Sequence, residues 1–222
     1  VLKRLKKHPL RYCHALAMTA MMLVLAVMAF RLGQADLMAN RAENTLNAVK
    51  NGKLPQKDAL PQALGWVNGA LAINRHYAPY IELQGNIHLA RQFEVLAPVG
   101  EPGQFQEAIS QFRLLLQYRP TWAFGWGGLI LAKVDQLEFD DELTQALEQV
   151  ATRYPYLPQV QTVAATAALS AWEFLEDGSR QKLMHSIRYA YALQPETLKD
   201  AAESFGELEV LCPLLKEGCG AH

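Results

Sequence analysis

Six histidines, three cysteines, a short acidic run and a tryptophan-bearing turn are the side chains of this 222-residue chain whose chemistry invites a functional reading. The histidines (His8, His14, His76, His88, His185 and His222) are scattered, and no two stand four residues apart around a glutamate. That spacing is what lets one helix face offer two zinc ligands and a general base. Gly125-Trp-Gly-Gly128 has the glycines of a phosphate loop but no Lys-Ser/Thr after it. Ser110, Ser170, Ser179, Ser186 and Ser204 lack the flanking glycines of a nucleophile elbow. The run Glu138-Phe-Asp140-Asp141-Glu142 has the oxygens for a cation site. Asp140 and Asp141 also stand where a helix N-cap and first turn favour negative charge, and a helix start is the simpler reading. No catalytic residue, cofactor or metal is therefore expected, and the chain is not expected to be an enzyme.

Cys13 lies in an apolar run and reads as a small hydrophobe. Cys212 and Cys219 are seven residues apart, too far for the Cys-x2-4-Cys of a zinc site. They suit a short disulfide loop in an oxidising compartment, with two thiols as the alternative. Tyr118, Trp122, Phe124 and Trp126 cluster around Pro120. Trp126 has a packing position, whereas Trp122 and Phe124 fall at the turn and helix start, where aromatic rings contact a partner peptide or a sugar.

The elements that must position these residues begin with a membrane segment. Tyr12 to Phe30 is nineteen residues without a charge, enough for a helix of roughly 28 Å, about the thickness of a bilayer core. Lys3, Arg4, Lys6, Lys7 and Arg11 precede it and place the N-terminus in the cytoplasm. The expected layout is a basic segment over 1–11, an anchor over 12–31, a connecting helix and loop over 32–57, and an outer domain over 58–222. A cleaved signal peptide is the competing reading, since Val27-Met28-Ala29 supplies small residues for a peptidase, though the apolar run exceeds a usual signal core. With five of the 21 basic residues ahead of Tyr12, the remainder holds 16 against 22 acidic ones. So acidic a body does not suit nucleic acid.

Beyond the anchor, Ala, Leu, Gln and Glu dominate, and apolar residues recur at steps of three and four. An all-α fold follows. Residues 36 to 51 read as a helix with Leu37, Leu46 and Val49 on one side, either continuing the membrane helix outward or forming a first capping helix, with Gly33 as a bend between the two. One spacing repeats: Ala108, Phe112, Leu115, then Pro120. It recurs as Leu143, Leu147, Val150, Pro155, as Leu183, Ile187, Ala190, Pro195, and more weakly as Ala63, Val67, Ala70, Arg75. Positions i, i+4 and i+7 share a helix face and proline ends the helix, the pattern of the second helix of a tetratricopeptide (TPR) repeat. First helices are expected at Ile81, Gly85, His88 and at Trp126, Leu129, and the Ala-rich stretch Val160–Leu175 reads as one buried helix. A TPR-like solenoid of about three repeats is predicted, with an insertion between Val95 and Gly103; a non-repeating bundle is the alternative. In that register Glu82 and Asn86 lie on the inner face of a first helix, where carboxylate-clamp repeats carry lysine and asparagine. Glu82, Asn86, Trp122 and Phe124 are thus the candidate partner-binding residues, and Glu82 disfavours an acidic peptide terminus.

Three segments carry a family resemblance. They are Arg119-Pro-Thr-Trp-Ala-Phe-Gly-Trp126 with Leu129 and Ala132-Lys133, Tyr154-Pro-Tyr-Leu-Pro-Gln-Val-Gln161 with Ala171-Trp172, and Ala201-x3-Phe205-Gly206 before Leu211-Cys212. With the N-terminal anchor, and over most of 60–215, they resemble the VpsP family of bacterial polysaccharide-biosynthesis proteins. The second segment departs from that pattern, reading Tyr-Pro-Tyr-Leu-Pro where something nearer Gly-Pro-Trp-Glu-Pro is expected. These are packing motifs, so the resemblance supplies no catalytic residues. It implies an inner-membrane accessory protein with a periplasmic domain, serving exopolysaccharide synthesis or export through protein contacts. A periplasmic chaperone or envelope-assembly factor is the second expectation, and a glycan-acting enzyme the third.

Overall fold

The computed structural model describes residues 9–91 and 105–214. The predicted insertion between Val95 and Gly103, the four cations ahead of His8 and Cys219 lie outside the described residues. The first helix, α1 (Pro9–Lys50), runs unbroken for 42 residues, roughly 63 Å at 1.5 Å per residue. Helix-forming Ala, Leu and Met fill it, and Thr19 and Thr45 turn their hydroxyls back onto the carbonyls of Ala15 and Arg41, both at 2.9 Å. From Cys13 onward its first half is apolar and exposed: the most apolar window has a mean hydropathy of 2.1 with none of it buried. Among the described residues this one helix is long and apolar enough to cross a membrane.

Two expectations about α1 are corrected. The helix is not interrupted at Gly33, which lies inside the continuous span with nothing near the place of a Cβ. Leu37 does not join Leu46 and Val49 but is 61% exposed. The buried stripe is Ala35, Ala39, Ala42, Leu46 and Val49. Leu37 stands about 200° around the helix from Ala35, on the opposite side. Alanines form most of the stripe, so the next helix can approach closely.

That next helix is α2 (Gln56–Ile73), followed by α3 (Ala78–Arg91), α4 (Gln106–Tyr118), α5 (Ala123–Asp135), α6 (Asp141–Arg153), α7 (Pro158–Ser170), α8 (Asp177–Leu193), α9 (Pro195–Phe205) and the short α10 (Leu208–Leu211). Each helix from α1 to α10 packs on its neighbour in the chain. Every second helix packs as well: α1 on α3, α3 on α5, α5 on α7, α7 on α9, and α6 on α8. This is a helical-repeat-like arrangement, with no strand among the described residues.

The recurring spacing marks the core. Its twelve apolar positions, from Ala63, Val67 and Ala70 to Leu183, Ile187 and Ala190, are all 1% exposed or less. Phe112 of α4 shows why the small residues matter. A Cβ on Gly85 would lie 2.9 Å from its ring, and one on Gly128 only 2.2 Å. The ring therefore fills a slot that glycines open in α3 and α5.

Turn chemistry ends the helices. Gly52 and Gly206 adopt φ of 67° and 77°, and the residue after each donates back to the carbonyl five before it, Lys53 to Ala48 and Glu207 to Ala202, both at 2.8 Å. The turn after α5 repeats this, with Glu138 donating to Lys133 at 2.9 Å, but Leu137 holds the left-handed position at φ 58°. Gln161 fastens α7 to the end of α6 by donating to the carbonyls of Val150 and Tyr154. The Val160–Leu175 stretch is not one helix. It stops at Ser170 and passes into a 3-10 turn, Trp172–Phe174. Arg180 holds that turn, its Nε donating to the Trp172 carbonyl at 3.1 Å with the guanidinium over the indole. Gly178 lies in the first turn of α8.

Candidate functional site: a groove across four helices

Alternate helices α1, α3, α5 and α7 present a shared surface. Asp36, Ala39, Asn40 and Glu43 of α1 face Pro79, Tyr80, Glu82, Leu83 and Asn86 of α3 across a cleft of about 410 Å³. That is within the range of ordinary ligand sites, about 300–1,000 Å³. A smaller cleft of about 140 Å³ lies between Glu82 and Asn86, Phe124, Gly127, Gly128 and Leu131 of α5, and Gln159, Val160 and Val163 of α7. Glu82 and Asn86 line both, so the clefts are contiguous.

Side-chain spacing explains the placement. Glu82 and Asn86 are four apart on α3 and project together, as do Asp36, Asn40 and Glu43 at steps of four and three on α1. Tyr80, buried beneath them, donates its hydroxyl to Asp36 and ties α3 to α1. Burial raises the Tyr80 pKa, and the Asp36 carboxylate raises it further, so the phenol remains the donor at any ordinary pH. Glu82 is half-buried and accepts the indole N–H of Trp122 at 2.7 Å. Burial pushes its pKa up, the indole hydrogen bond pulls it back, and the charge of Glu43 pushes it up again.

All four predicted residues therefore fall together. Glu82 and Asn86 line the clefts, Phe124 lines the smaller one at 43% exposure, and Trp122 stands behind Glu82. Trp122 is already engaged: the Arg119 guanidinium lies 5.2 Å over its ring, and Phe124 packs at a centroid distance of 6.3 Å. Sequence reasoning missed Asp36, Asn40, Glu43 and Leu131. The α1 residues had a readable signal, the same i, i+4 polar pairing as Glu82 and Asn86, hidden once Leu37 was placed on the inner side. Trp126 donates its indole N–H to the Pro120 carbonyl at 2.9 Å, which fixes the turn before α5.

The acidic run at 138–142 has a different role. Its cation is Lys133, whose side chain is fully buried and whose ammonium reaches Glu138 at 3.0 Å, Asp140 at 2.8 Å and Glu142 at 2.9 Å. Arg113 adds two bonds to Glu142, at 2.6 and 2.9 Å. Asp140 is the N-cap of α6, accepting from the Leu143 amide at 2.9 Å. Burial alone would lower the Lys133 pKa, but the three carboxylates outweigh it and raise it. Arg113 foremost holds Glu142 below the usual carboxylate range, and Asp140 is low because Lys133 and the Leu143 amide overcome its burial.

Cys13 is a free, exposed thiol, and Cys212 is disulfide-bonded at the start of the final 3-10 turn. Its expected partner Cys219 lies outside the described residues. Comparison with protein-family models gives no match for the chain, and comparison with curated proteins gives none either.

Proposed function

We propose that the chain is a membrane-anchored scaffold whose TPR-like domain holds a protein partner in the groove across α1, α3, α5 and α7. The first half of α1 spans a bilayer with the basic N-terminus in the cytoplasm, so the domain stands on the outer, periplasmic side of a bacterial inner membrane. The process it serves is exopolysaccharide synthesis or export, on the strength of the three resembling segments alone. One observation carries the scaffold reading: a single unbroken helix contributes an exposed apolar length of membrane dimension and a wall of the groove.

The test is site-specific crosslinking in native membranes. A photoreactive amino acid replaces Asn86 in the groove or, as a control, the 85% exposed Tyr156, which lines neither cleft. Defined protein adducts at position 86 and none at 156 are expected, with glycosyltransferase or export proteins among them. Adducts with many unfolded envelope proteins would select the chaperone reading instead. No adduct at position 86 would sink both. A deletion strain with unchanged matrix polysaccharide would remove the pathway assignment and leave the scaffold.

A further inference from the structure

The groove differs along its length in a way that bears on its occupant. At the α1–α3 end stand Asp36, Glu43 and Glu82, and among the described residues no lysine or arginine forms an ion pair with any of them. The half-buried Glu82 is held close enough to Glu43 for their charges to oppose each other. At the α5–α7 end the surface is apolar, with Phe124 and Leu131 exposed at 43% and 40% over Val160. Between the two, the Asn86 amide offers both a donor and acceptors.

We infer that the groove binds an extended segment of a protein partner, seating a lysine or arginine side chain among Asp36, Glu43 and Glu82 and an apolar side chain against Phe124 and Leu131. The inference rests on the scaffold reading and adds the chemistry of the partner. A cation relieves the repulsion between Glu43 and Glu82, and the part-buried position of Glu82 reduces the screening of that attraction. An acidic segment meets the opposite field. A neutral glycan is less suited: it neutralises no carboxylate, and the Trp122 indole that would stack on a sugar already has Arg119 over its ring and its N–H on Glu82.

The test uses the full chain in lipid nanodiscs to select binders from a random dodecapeptide phage library. Selected peptides are expected to carry Lys or Arg within a few positions of Leu, Ile, Val or Phe. Binding of a selected, fluorescently labelled peptide should weaken by about tenfold or more on Glu82→Gln and on Lys→Met in the peptide, and fall with added salt. Glu82→Gln keeps an oxygen for the Trp122 indole, so an unchanged thermal midpoint separates lost binding from lost folding. Phe124→Ala should weaken the same peptide without changing its salt dependence. Selected peptides without a basic residue, an affinity indifferent to Glu82→Gln, or no selected peptide beside a hit on a glycan array would each overturn the inference. Protein adducts at position 86 combined with any of these results would retain the scaffold and reject only the charge assignment.

Discussion

Glu138, Asp140 and Glu142 surround Lys133, whereas Asp36, Glu43 and Glu82 surround a cleft. Both groups hold three carboxylates, the first in the turn and start of α6 and the second across α1 and α3, yet they answer to different demands. The first holds its own counter-ion, with the lysine side chain fully buried and Arg113 closing one side. Asp140 and Glu142 have lowered pKa values, so the folded state favours their charge. In the second, Glu82 has a raised pKa, so folding works against its charge. An acidic cluster that stabilises a fold brings its cation with it. One that leaves the position open is available to a cation from elsewhere.

The largest effect that would test this contrast is on Lys133. Lys133→Met should destabilise the full chain in detergent by about 2–3 kcal/mol, because Glu138 and Asp140 lose their cation and Glu142 keeps only Arg113. For a protein of this size that lowers the thermal midpoint by roughly 5–10 °C. A midpoint within a degree of the parent would show that the cluster does not hold α5 to α6.

Acid should act on the same cluster. Asp140 and Glu142 have depressed pKa values in the fold, so their contribution is complete above the ordinary carboxylate range, about pH 4, and is lost as pH falls through their folded values. Glu82 has the opposite sign: its protonation favours the folded state. Thermal midpoints measured from pH 7 to pH 3 should therefore fall, with a shallower fall in Lys133→Met. Parallel curves for the two proteins would contradict the assignment.

A smaller gain is expected beside the cluster. Leu137→Gly should raise stability by about 0.5–1 kcal/mol, since Leu137 holds a left-handed turn position that Gly52 and Gly206 hold elsewhere. A loss measured by chemical denaturation would mean that the leucine side chain stabilises the turn more than its backbone strains it. The smallest stability change belongs to the open cluster. Glu82→Gln and Glu43→Gln should each lie within about 0.5 kcal/mol of the parent or slightly above it, while peptide binding to Glu82→Gln weakens by about tenfold or more. A marked destabilisation would place these residues with the structural cluster and remove the contrast.

Much of this is legible before any coordinates. The spacing of Ala108, Phe112 and Leu115 and its three copies marks the buried face of α2, α4, α6 and α8, because a period of 3.6 leaves few other ways to bury large residues. Glu82, Asn86 and Phe124 follow once that register assigns an inner face to α3 and α5. The α1 wall does not, because its buried stripe is mainly alanine and Leu37 outweighs alanine in any hydrophobic reading. Lys133 is equally silent: between Ala132 and Val134 nothing in its type indicates burial. Only the fold brings Glu138, Asp140 and Glu142 around it. The 3-10 turn that follows Ser170 is held by Arg180, eight residues beyond Trp172, a contact that periodicity does not carry.

The continuity of α1 through Gly33 makes the helix a drive shaft. Asp36 lies five residues past Arg31, about 7.5 Å along the axis, with no flexible joint between the apolar half and the groove wall. The facing of the groove is then locked to the rotational setting of the apolar half. Each residue inserted between Phe30 and Ala35 turns that facing by about 100° and lifts it by about 1.5 Å, while four residues together nearly restore it. On the proposed anchoring, a neighbour held beside the apolar half meets the groove in one azimuth, and the helix phase enters the proposed recognition.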